Sequence, residues 1–211
     1  MYALIKREIQ DHIVYFIGAA AFSAIFIIIS ISVIHNYNPR ENPPVFSIGL
    51  GVPTIAIVII AFCAMGATQM YTDKNRKISA FLSTLAVSRS RILLARIITG
   101  ILAILTLLVP LTITAVTLLR LYVPPVPIYP GMVFEISVVV FLMVFACYCL
   151  GLQTGWNSGK IIPTLGGIAL TCIFVPLILI KGFGLHIVVI LVLFIVASLI
   201  RIWHTFMSTS L

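Results

Sequence analysis

Acidic side chains are scarce in this chain. Among 211 residues there are five, Glu8, Asp11, Glu41, Asp73 and Glu135, and charged residues make up 9% of the total, against about 25% in soluble domains. None of the five falls in the middle of an apolar run, and no two are placed as a carboxylate pair, so general acid–base hydrolysis has no obvious machinery here. A self-powered carrier of protons or sodium is disfavoured for the same reason, since it usually needs an ionisable group or a broken helix near the bilayer midplane. His12, His35, His186 and His204 are scattered, without HExxH spacing. Metal chemistry and a bound cofactor are therefore not expected. Cys63, Cys147, Cys149 and Cys172 all lie in apolar stretches and read as small membrane-core residues. The run from Gly155 to Ile161 imitates a P-loop, but it is one residue short between its glycines and carries Ile161 where a magnesium-binding hydroxyl belongs. The chain is thus not expected to hydrolyse nucleotides itself.

What remains is apolar. Hydrophobic residues are 62% of the chain and the mean hydropathy is +1.24, which indicates an all-α integral membrane protein. Six runs of spanning length fall at about 13–34, 49–70, 93–119, 132–153, 162–180 and 186–202. The third is long enough for tilt, a kink or an extension beyond the membrane, and Pro110 is its candidate kink. The first eleven residues are mixed in charge and do not read as a cleavable signal. The pI of about 9.6 invites a nucleic-acid partner, but the basic residues lie between apolar spans and form no soluble basic domain, so no nucleic acid is expected. They sort by side instead. Lys6, Arg7, Lys74, Arg76, Lys77, Arg89, Arg91, Arg96, Lys160 and Arg201 fall on one side of a six-span chain, and Arg40, Arg120 and Lys181 on the other. The positive-inside rule then puts both termini in the cytoplasm.

Two polar segments stand out. Residues 1–12 place Leu4, Ile5 and Ile9 among Lys6, Arg7, Glu8 and Asp11, a pattern for a short amphipathic helix at the interface. Residues 71–92 form the one long polar interruption. Within it Ile78, Phe81, Leu82 and Leu85 recur at i, i+3, i+4 and i+7, one apolar helical face. The segment reads either as a short helix offered to a soluble partner or as an interfacial loop held by basic residues against anionic lipid. Ser88 or Ser90 is placed to cap the helix that follows. Further on, Gly151 and Gly155 are spaced to form a small face where another helix can approach, or to mark a helix end followed by a loop. Glu135 is expected at the start of the fourth span, where a helix N-terminus favours an acid.

One family unites these features. The charged run Asp73-Lys74-Asn75-Arg76-Lys77, Ser79, the short apolar helix Phe81-Leu82-Ser83-Thr84-Leu85, the turn Ala86-Val87-Ser88-Arg89 and the basic Leu94-Ala95-Arg96 resemble the permease subunits of type-2 ABC exporters. The opening Ile5-Lys6-Arg7-Glu8-Ile9 is similar to that family's N-terminal amphipathic helix. There are departures: Ala86 stands where the family often has Pro, Ser79 where it often has Gly, Lys77 where an acid is usual, and the segment Lys181 to Leu185 is too short for re-entrant helices. The resemblance implies a single permease domain over 1–211 in the cytoplasmic membrane of a prokaryote. It also implies a second permease subunit and two copies of a separate ATPase. Asp73, Lys74, Arg76, Lys77, Ile78, Phe81, Leu82, Leu85 and Arg89 would then form the coupling element, and ATP hydrolysis would reside in the partner. A haem-exporter-like permease of cytochrome c maturation is the second reading within the class, and a membrane assembly protein without transport the reading outside it.

Overall fold

The computed structural model describes residues 2–35, 45–76, 88–122, 128–156 and 185–208, and every one of these segments is helical. Helix α1 spans Tyr2–Asp11, α2 Ile13–His35, α3 Val45–Arg76, α4 Arg89–Tyr122, α5 Ile128–Trp156 and α6 Leu185–Ser208. Five of the six are long and apolar enough to cross a membrane: Ile13–Ser32, Ala56–Asp73, Ser90–Leu118, Val133–Gly155 and His186–Met207. These cover five of the six apolar runs. The run at 162–180 lies outside the described residues, as do Lys77, Ile78, Phe81, Leu82, Leu85 and Cys172.

The helices are longer than the apolar runs that seed them. At 1.5 Å per residue, the 32 residues of α3 and the 34 of α4 extend about 48 and 51 Å, well beyond about 30 Å of hydrocarbon. The surplus of α3 lies partly at its charged end, where Tyr71–Arg76 continue the helix. Ser88 occupies the position before α4, its carbonyl accepting from the backbone N–H groups of Arg91 and Ile92. Helix α4 runs through Pro110. Helix α5 begins at Ile128, so Glu135 stands two turns inside it and is exposed. The dipole effect fades within the first turn, which removes the expected N-terminal role for that residue.

The core forms where α3 and α5 meet, the most extensive helix pairing in the described chain. The two run parallel. Gly151 lies on the Cys63 carbonyl and Gly155 on the Ala67 carbonyl, while Gly66 of α3 lies on the backbone of Tyr148 and Leu152. A Cβ at any of the three would collide with backbone of the facing helix. Small residues let helices approach this closely where no water drives them together. Around this seam Met65, Ile104, Val144, Cys149 and Leu152 are fully buried. Helix α4 packs across α5, α6 packs on α5, and α2 packs on α4. Helix α2 is the least buried of the described spans, with only 11% of its apolar window buried, and its Ile17, Ile25 and Ile28 are exposed.

Candidate functional site

The buried charged residues of the described bundle, Asp73 and Arg96, meet at one end. Arg96 sits two turns into α4 and is 2% exposed. An unpaired charge at such a place would cost several kcal/mol in lost hydration, and the sequence supplies its partners from two other helices. Arg96 Nη1 donates to Asp73 Oδ2 of α3 at 2.9 Å, and Nε donates to Glu8 Oε1 of α1 at 3.3 Å. Asp73 is 1% exposed and Glu8 14%. Asp73 thus belongs to the last turns of α3 with its carboxylate held inside the chain. The same guanidinium reaches the Met70 sulfur at 3.5 Å. On the outer side of Glu8, His12 Nε2 lies 3.8 Å from Glu8 Oε2, one helical turn further along the chain.

Helical spacing explains the assembly. Gln69 and Asp73 are four apart and share a face of α3. Arg96 and Gly100 are four apart and share a face of α4. Gly100 has no side chain, and the ring of Tyr148 from α5 fills that place; a Cβ there would strike the ring. The ring position brings the Tyr148 hydroxyl 2.9 Å from the Arg96 carbonyl and 2.6 Å from Gln69 Oε1. A hydroxyl has one proton and cannot donate to both. Turning the Gln69 amide over resolves this: Nε2 donates to the phenol oxygen, and the phenol donates to the Arg96 carbonyl. In either orientation one atom of the Gln69 amide, which is 2% exposed, has no partner among the described residues.

Four helices therefore meet in one buried polar knot: Glu8 from α1, Gln69 and Asp73 from α3, Arg96 from α4 and Tyr148 from α5. The arrangement carries no nucleophile with a base beside it. No group of three or more metal-binding side chains occurs among the described residues. Its chemistry is electrostatic: two carboxylates fix one cation and thereby fix the ends of three helices. Outside the spans, His12 is held below its ordinary value of 6.5, first by burial and further by Arg96, against the opposing pull of Glu8 and Asp11.

The residues of the 71–92 segment divide between described and undescribed positions. Asp73 is in the knot. Lys74 and Arg76 continue α3 and Arg89 opens α4. Lys77, Ile78, Phe81, Leu82 and Leu85 fall between them, outside the described residues. Gly151 and Gly155 stand at the α3–α5 seam, within a helix that continues to Trp156. Sequence reasoning missed Tyr148 and the pairing of Glu8 and Asp73 with Arg96. A signal for the pairing was present: a cation inside an apolar run calls for an acid nearby, and few acids were available. Nothing in the sequence marks Tyr148, whose role depends on Gly100 of another helix. The chain matches no protein-family model, no curated protein and no solved structure.

Proposed function

We propose that this chain is the membrane-spanning permease subunit of an ATP-driven exporter, powered by a separate ATPase docked on the connection between α3 and α4. The observation that carries the reading is the Glu8–Arg96–Asp73 knot. The connection begins at Lys77, directly after α3, and ends at Ser88, directly before α4. Asp73 lies just before its start and Arg96 two turns past its end, and the two are joined at 2.9 Å. A force applied to the connection would move α3 and α4 as one body, and α1 with them through Glu8. That is the mechanical requirement for passing a nucleotide-driven motion into membrane helices, which otherwise change between discrete packings.

In this reading the knot lies on the cytoplasmic side, where the positive-inside rule places Lys74, Arg76 and Arg89. Phe81, Leu82 and Leu85 fill an apolar groove on the ATPase, and Lys74, Arg76, Lys77 and Arg89 steer the contact from its rim. A second permease subunit completes the pathway.

The test is purification of the tagged chain in mild detergent from its own cells. A P-loop ATPase at stoichiometric yield is expected, with ATPase activity that follows the complex. Phe81→Asp combined with Leu85→Asp should release it while the chain still inserts and purifies. Recovery of the chain without any nucleotide-binding partner, at full yield, would overturn the proposal in favour of a structural or assembly role.

A further inference from the structure

A second feature lies outside the knot. Helix α2 packs on α4 and touches α3 only sparsely. Between α2 and α3 runs a groove with Leu107 of α4 at its base, lined by Tyr15, Gly18 and Phe22 on one wall and Ala61 and Phe62 on the other. Its volume is about 230 Å³. Apolar cavities of about 150 Å³ stay dry and accept benzene, so this one suits a longer hydrocarbon. At the charged end the groove is bridged by a hydrogen bond between the Tyr15 hydroxyl and Thr68 Oγ1 at 3.0 Å. Both walls belong to helices long and apolar enough to span, and no described residue covers the open side, which in a bilayer would face hydrocarbon.

Gly18 gives the independent observation. At Gly66, Gly100, Gly151 and Gly155 a neighbouring helix or ring occupies the place of the missing side chain. At Gly18, as at Gly131 near the start of α5, a Cβ would meet nothing within 4 Å among the described residues. Glycine in a helix interior is destabilising relative to alanine, and no group among the described residues requires it here. We infer that the groove between α2 and α3 is a binding site for one acyl chain of a bilayer phospholipid, and that Gly18 leaves the space for it. The polar end of the groove lies at the end of the bundle where α1 carries the exposed Lys6, beside Arg7 in an exposed ion pair with Asp11 at 3.7 Å, and the Lys6 charge suits a phosphate headgroup. The chain between the helices supplies the packing that α2 lacks against α3.

The inference stands apart from the exporter reading and is tested on the purified full chain alone. It is reconstituted into phosphatidylcholine vesicles containing a phospholipid with a mid-chain diazirine, illuminated and digested. No other hydrocarbon is present, so the lipid is the source of every adduct. Adducts are expected to concentrate on Phe22, Ala61 and Phe62 over the outward Ile17 and Ile60. Gly18→Leu should reduce the groove adducts severalfold and leave those at Ile17 and Ile60 unchanged. Ala61→Leu, which enters from the opposite wall, should do the same and serves where the first variant does not fold. Equal labelling of groove and outward faces, or groove labelling unchanged in both variants, overturns the site.

Discussion

Arg96 is the residue on which most depends. Its guanidinium is held by two carboxylates from separate helices, and its carbonyl accepts from the Tyr148 hydroxyl. Removing one partner of a buried ion pair leaves an uncompensated charge and costs about 3–5 kcal/mol, whereas replacing both partners by apolar groups is often neutral. Arg96→Leu should therefore lower the unfolding free energy by about that amount. Adding Asp73→Leu should recover most of it, as measured by denaturation in detergent; a double variant no better than the single one would show that the pair does not act as a unit. His12 adds a pH dependence. Its folded value lies below the unfolded 6.5, so the stability it contributes is present above pH 6.5 and is lost as the pH falls through the folded value. Docking of α1 should weaken on acidification below 6.5. Protease access at Lys6 and Arg7 reports this, and His12→Gln should flatten the profile.

Among elements, the α3–α5 seam depends on backbone contact where a side chain would stand. Gly155→Leu would drive a side chain into the Ala67 carbonyl, and neither helix backbone can yield without opening the seam. Overpacking of this kind costs about 1–3 kcal/mol or more, and a lowered melting temperature is the readout. Gly131→Ala, where a Cβ meets nothing within 4 Å among the described residues, should not lower the melting temperature and should raise it slightly, since alanine is the better helix former. The knot and the seam adjoin: Tyr148 takes part in both, through its hydroxyl at Arg96 and its backbone at Gly66. Loosening the seam should therefore also displace the phenol that supports Arg96.

For the whole molecule, the charged ends of α3 and α4 and all of α1 gather at one end of the bundle, and the described spans expose mainly apolar side chains. Exposed Ile17, Ile28, Ile60, Leu193 and Ile200 would be an aggregation liability in water but suit lipid. The exporter reading requires this charged end to face the cytoplasm. Reporter fusions at residues 2 and 208 should both show cytoplasmic activity, fluorescence from a cytosol-dependent protein and silence from a periplasm-dependent phosphatase. Opposite signals at the two ends would contradict an even number of crossings and the positive-inside count together.

By itself the sequence determined that the described chain is helical, with apolar runs long enough to cross a membrane. Apolar runs near twenty residues with almost no charge have few other places to go, and that signal is local to each run. It also marked Lys74, Arg76, Lys77 and Arg89 as one basic region and the spacing of Gly151 and Gly155 as a small-residue face. It did not determine which helix that face meets, because spacing describes one surface and not its partner; Cys63 and Ala67 emerged only when α3 and α5 were brought together. Tertiary structure alone decided that Asp73 turns inward to Arg96 and that Glu8, 88 residues earlier, completes the pair. An ion pair between distant segments leaves no periodicity in the sequence. It forms because a buried cation must find its counter-charge, and the packing of four helices settles which of five acids can reach it.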